Sequence, residues 1–164
     1  MSGSPTSYLG SVSETWTATL TLGIEGAAFG PDLQPELSAF VHITGDWQGL
    51  IMLCATQRLA RRVTAAMFDL PPEDVAPEMV HDAFGEMANI LAGQVKGQMT
   101  GTSALSLPTV VEGDGHHVFV PDVRAIEDRS FTCEGEPIWV RLYEHVRVAS
   151  SRHHPATDAR KEAA

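Results

Sequence analysis

The residues best suited to chemistry share one face of a single expected helix. From Pro77 to about Gln98, Met79, Val80, Ala83, Phe84, Met87, Ile90, Leu91 and Val95 recur at helical spacing and form one wide apolar face. Asp82, Glu86 and Asn89 stand at i, i+4 and i+7. At about 100° per residue they fall within a sector of about 60°, roughly opposite the apolar face. Two carboxylates and a carboxamide therefore project side by side into solvent from a stiff rod. A carboxylate can pair with a cation on another molecule, and a carboxamide can donate and accept hydrogen bonds without titrating near neutral pH. The bland alternative is that every surface helix has a polar face, and Glu-x-x-Asn alone arises by chance in roughly one chain of a few this size. Gly85 and Gly93 interrupt the same helix, each costing about 1 kcal/mol relative to Ala. Close packing on a sheet explains Gly93. Packing and the close approach of a partner backbone beside Glu86 explain Gly85 equally well.

Other elements must position this helix. Pro77 suits its first turn, where Glu78 complements the helix dipole. Leu37 to Ala55 reads as a hairpin: alternating apolar residues, a turn at Thr44-Gly45-Asp46, and a buried strand at Leu50 to Cys54. Gln57 to Phe68 reads as an amphipathic helix ended by Pro71 and Pro72. Leu59, Val63 and Met67 face inward, and Arg58, Arg61 and Arg62 form a solvated outer face. Leu9 to Ile24 fits both an alternating strand and a helical face, and periodicity does not choose. Strand-like runs follow at Leu105 to Val111, His117 to Val120, Phe131 to Cys133 and Ile138 to Val148, with turns at Gly113-Asp114-Gly115 and Glu134 to Pro137. Paired as a meander, they complete an α+β fold with helices on one face of a mostly antiparallel sheet. Residues 1–7 and 150–164 read as flexible tails around a domain at 8–149.

The chain has 164 residues, 43% hydrophobic and 20% charged, which suits one folded domain. Its net charge of −10 and pI near 5.0 oppose nucleic acid and anionic membranes as partners. Residues 1–7 carry no basic cluster and no following apolar region, so no secretory signal is expected, and the longest fully apolar run, Leu50 to Ala55, is far too short for a membrane span. A cytoplasmic location with reduced thiols is expected. Cys54 and Cys133 are too few for a disulfide scaffold; Cys54 reads as a small core residue and Cys133 as half-buried. His116-His117 and His153-His154 chelate poorly, because neighbours on a strand point to opposite faces, so no metal site is expected. Gly113-Asp114-Gly115 lacks the Lys-Ser/Thr and following helix of a phosphate loop. Trp47 is assigned to edge packing.

The string Asp82-Ala-Phe-Gly-Glu86-Met-Ala-Asn89, followed by Ile90 and Gly93, resembles the D/S-x-x-x-E-x-x-N signature of the CheC/CheX/FliY chemotaxis phosphatases. Leu22-Gly23-Ile24-Glu25 resembles the end of that family's first helix. Gly45-Asp-Trp-Gln-Gly49 with Leu50-Ile-Met-Leu resembles its G-x-x-x-G hairpin and strand, and Leu107 to Gly113 its strand after the catalytic helix. These stretches occur in family order and span about residues 8 to 148. The resemblance implies a CheC-like fold with a helix, not a strand, near the N-terminus. Glu14-Thr15-Trp16-Thr17 has Thr where a second active stripe needs Asn, so the chain looks like a single-site member nearest CheX. The implied activity is hydrolysis of the aspartyl phosphate on a CheY-like response regulator. Glu86 and Asn89 would be catalytic, with Asp82 and Gly85 toward the partner. No cofactor is expected on this chain, since the regulator brings the Mg²⁺. A homodimer joined through the sheets is likewise implied. Regulator active sites are themselves acidic, so net charge would slow encounter rather than steer it.

Overall fold

Two adjacent segments build the centre of the sheet. Leu37–Gly45 (β2) sends Leu37, Ala39, Val41 and Ile43 to one side, and Gly49–Ala55 (β3) is buried along its whole length, which matches its unbroken apolar sequence. They pair antiparallel from Leu37 opposite Ala55 to Ile43 opposite Gly49. The glycines of the G-x-x-x-G turn have separate steric reasons. A Cβ on Gly45, whose φ is +128°, would strike the backbone of Thr102, and one on Gly49 would strike the Tyr143 carbonyl and the Trp47 ring. Trp47 thus packs over its own hairpin, as assigned.

The chain is seen in a computed structural model that describes residues 7–29, 34–114 and 119–146. In order these form Val12–Leu20 (α1), Glu25–Gly26 (β1), β2, β3, Gln57–Phe68 (α2), Pro77–Gly97 (α3), Ser103–Leu105 (β4), Thr109–Glu112 (β5), Val123–Cys133 (β6) and Glu136–His145 (β7). All pairings are antiparallel, in the order β1-β6-β7-β3-β2-β4, with β5 sharing the β2 edge. The three helices contribute Trp16, Leu20, Leu59, Val63, Phe84, Met87, Leu91 and Val95 to one buried layer with β2, β3 and β7. The expected α+β layering and the helix near the N-terminus are therefore present.

Several local expectations are corrected. Leu105 to Val111 is not one strand. It splits at Ser106–Pro108, where Pro108 has no N–H for a ladder and its ring lies on α3. Phe119 and Val120 lie outside any strand, and His116 and His117 lie outside the described residues. Val123 to Ser130 belongs to a long strand that its charges, Arg124, Glu127, Asp128 and Arg129, had masked. A bulge between Ala125 and Glu127 also breaks its alternation. The last strands do not form a simple meander: β6 and β7 are a hairpin, but β7 adds to β3 while β4 and β5 add to β2.

The face without helices is not bare either. Phe40, Leu50, Met52, Cys54 and Trp139 form a second buried cluster there, against which Val120, Val123 and Tyr143 pack. Burial there pushes the Cys54 thiol up to about 11. Cys133 is fully buried rather than half-buried, and burial raises its thiol too, so neither sulfur suits nucleophilic chemistry. Residues 1–6 and 147–164 lie outside the described residues, including His153-His154. Ser7, assigned above to a tail, donates its hydroxyl to Glu127, which also accepts from the backbone N–H groups of Tyr8 and Leu9.

Candidate functional site

The site is built on α3, whose 21 residues span about 31 Å. Pro77 occupies its first turn, Glu78 lies at the positive end and Lys96 at the negative end. Val80, Ala83, Phe84, Met87, Ala88, Leu91, Ala92 and Val95 are buried against the sheet and α2. That burial orients the rod and leaves the opposite face outward. Asp82 and Glu86 are exposed and Asn89 is half-buried. Among the described residues, none of these three side chains has a hydrogen-bond or ion-pair partner. A carboxylate and a carboxamide one turn apart are held by the fold at their backbone and left unengaged at their tips.

A groove beside the stripe is lined by His81, Asp82, Glu86, Pro108 and Val110. Its far wall is β5, tied to α3 by a hydrogen bond between His81 Nε2 and Glu112 Oε2 at 2.5 Å. That hydrogen bond from His81 holds the Glu112 carboxyl below the usual carboxylate range. A second groove lies further along the helix, between Gly93, Lys96 and Gly97 on one side and Ser103 and Leu105 on the other. His81, Pro108 and Leu105 were not singled out as site residues from sequence. Only the placement of the β4–β5 edge against α3 brings them there.

The structure decides the alternative left open at Gly85 and corrects the reading of Gly93. Gly85 is buried, and a Cβ there would lie 3.2 Å from Pro108 Cγ and 3.4 Å from Val110 Cγ2. Packing therefore accounts for Gly85, and it does not face outward toward a partner. A Cβ on Gly93 would meet nothing within 4 Å, so close packing on the sheet, expected above, does not explain it. By helical spacing Gly93 continues the stripe one turn beyond Asn89.

On α1, Glu14 and Thr17 are exposed and Trp16 is in the core, and no carboxamide accompanies Glu14 on that helix. The described residues contain no group of three or more His, Cys, Asp or Glu placed to hold a metal ion, and no described helix is long and apolar enough to cross a membrane.

A family model described as chemotaxis phosphatase CheX matches residues 37–127, more than half of the chain. Among solved structures, CheX from Vibrio vulnificus is 19% identical, with a TM-score of 0.69 over 84% of this chain and 93% of that one. CheX from Desulfovibrio desulfuricans is 22% identical, with a TM-score of 0.66 over 82% and 94%. A complex of CheX, CheY, BeF3 and Mg²⁺ from Borrelia burgdorferi is 20% identical, with a TM-score of 0.71 over 84% and 96%. At these identities the structures establish the fold. No curated protein matches the chain by sequence.

Proposed function

Because this chain belongs to the CheX family of chemotaxis phosphatases, we propose that the α3 stripe is its active surface and that the substrate is the aspartyl phosphate of a CheY-like receiver domain. The observation that carries this is the unengaged pair Glu86 and Asn89 on the outward face of a buried, rigid helix. The Borrelia CheX was crystallised with CheY, BeF3 and Mg²⁺, and a partner of that kind suits a protruding stripe better than a small molecule would.

An acyl phosphate has a good leaving group, so hydrolysis needs a water aligned opposite the P–O bond that breaks and relief of the charge on phosphorus. The Mg²⁺ that neutralises this charge arrives with the receiver; this chain supplies no ligand to it. Asn89 enters the receiver's site, and its carboxamide oxygen accepts a hydrogen bond from the attacking water, which fixes the line of approach. Glu86, one turn back, pairs with a receiver cation and sets the register of α3. Asp82 extends that docking contact by a further turn. Gly85 acts indirectly by letting Pro108 seat the β4–β5 edge against α3.

Such a partner works in the cytoplasm, and we place this chain there. A homodimer joined through sheet edges is also proposed. It is supported by β6, whose outer edge pairs with β1 at Phe131 and Thr132, accepts the Ala27 N–H at the Ser130 carbonyl, and from Val123 to Arg129 has no further strand partner among the described residues. Sedimentation of the full chain at several concentrations tests it, and a single monomeric species refutes it.

The central test is phosphate release from a receiver phosphorylated by acetyl phosphate with Mg²⁺. The wild type accelerates release, and Asn89→Ala loses about 100-fold of that rate while still binding the receiver. Binding without acceleration by the wild type would make the chain a non-catalytic regulator-binding module instead.

A further inference from the structure

We propose that Leu107 is a docking residue for the receiver, seated on an apolar patch beside the phosphorylation site and setting affinity rather than turnover. The inference rests on the function proposed above.

Its first support is position. Leu105 shares a groove with Gly93, Lys96 and Gly97, and a Cβ on Gly85 would lie 3.2 Å from Pro108 Cγ. Gly85, Asn89 and Gly93 follow one another at four-residue intervals, about 6 Å apart along the axis. The chain therefore runs back along the helix between Leu105 and Pro108, and Ser106 and Leu107 pass at the level of Asn89.

Its second support is rigidity. The Ser106 N–H donates to the His42 carbonyl at 2.9 Å, and the His42 N–H donates to Ser106 Oγ at 3.0 Å. The Ser106 hydroxyl donates to the Leu107 carbonyl at 2.9 Å, and the Pro108 ring closes the other end on Gly85. Between these fastenings the Leu107 residue is 89% exposed. A single exposed leucine is ordinary on a protein surface. Here it is carried on a pinned connection at the height of the proposed catalytic carboxamide, so little ordering entropy is lost when it is covered.

The third support is charge. At −10, the chain has no long-range attraction for an acidic phosphorylation site. Affinity must then come from short-range contacts, and burying one leucine suffices for about a tenfold to hundredfold gain.

The experiment uses the full chain and a receiver phosphorylated by acetyl phosphate with Mg²⁺. Leu107→Ser should raise KM at least tenfold, leave kcat unchanged and leave the melting temperature unchanged, while Leu107→Met keeps the wild-type KM. An unchanged KM, or a lower kcat at constant KM, overturns the proposal. Should the wild type release no phosphate, the enzymatic reading fails, and docking is read separately by titrating the same receiver with both proteins. Weaker binding by Leu107→Ser then upholds the docking role, and equal binding, or no binding by the wild type, refutes it.

Discussion

Helices α2 and α3 lie in the same layer, yet they use their outer faces differently. On α2 all three arginines are engaged within the fold. Arg58 faces Glu136 at 3.5 Å, Arg61 donates to the carbonyls of Pro72 and Val75, and Arg62 makes two hydrogen bonds with Glu134. The face is solvent-exposed, as expected from sequence, and its arginines also fasten α2 to the β6–β7 turn and to its own following loop. On α3 the outward Asp82, Glu86 and Asn89 have no such partners among the described residues. The contrast separates polar groups that hold the fold together from polar groups the fold holds ready for something else. A rigid rod with unengaged tips fits a task performed on another molecule.

Substitutions on the two helices sharpen this contrast. After Asn89→Ala, the largest effect expected is again on activity: Glu86→Gln should lower phosphate release from a phosphorylated receiver by about tenfold, with no change in melting temperature, because one charge-assisted contact to the partner is lost and none within the fold. A falling melting temperature would move Glu86 into the structural class. Next is Gly85→Ala, whose methyl needs Pro108 to give by a few tenths of an ångström; because Pro108 is fixed in its connection, overpacking should outweigh the helix propensity gained and leave a net loss of about 1 kcal/mol in denaturant unfolding. Gly93→Ala should do the opposite, adding up to about 1 kcal/mol of stability, because the new methyl enters open space and the helix gains propensity.

The smallest effect is Arg62→Ala, which removes a solvent-screened pair and should cost less than about 1 kcal/mol. Its pH dependence is specific. Hydrogen bonding from Arg62 holds the Glu134 carboxyl below its ordinary range, so the contribution is complete above that range and disappears as pH falls through the lower folded value. Wild-type and Arg62→Ala unfolding curves should therefore converge in acid. A gap that persists there would assign the cost of the substitution to lost packing.

Much of the α3 site was legible because it is local. A helix repeats every 3.6 residues, so Asp82, Glu86 and Asn89 declare a shared face without reference to the rest of the chain. The α2 limits and the β2–β3 hairpin were legible for the same reason. Leu9 to Ile24 was not, because its Thr-rich alternation suits two periods at once, and only the family resemblance chose the helix. Strand β6 escaped because its charged, edge-facing residues and its bulge erase the alternation that marks a half-buried strand.

Sequence by itself determined which residues form the stripe, that they lie opposite an apolar face, and that one helix carries them. Those are properties of spacing along a single regular element. Only the tertiary structure decided that the stripe is unengaged, that Gly85 belongs to packing and Gly93 to open surface, and that Pro108 and Leu107 border the site. Each of those depends on which distant segment is pressed against α3, and that follows from how β4 and β5 divide the edge of β2.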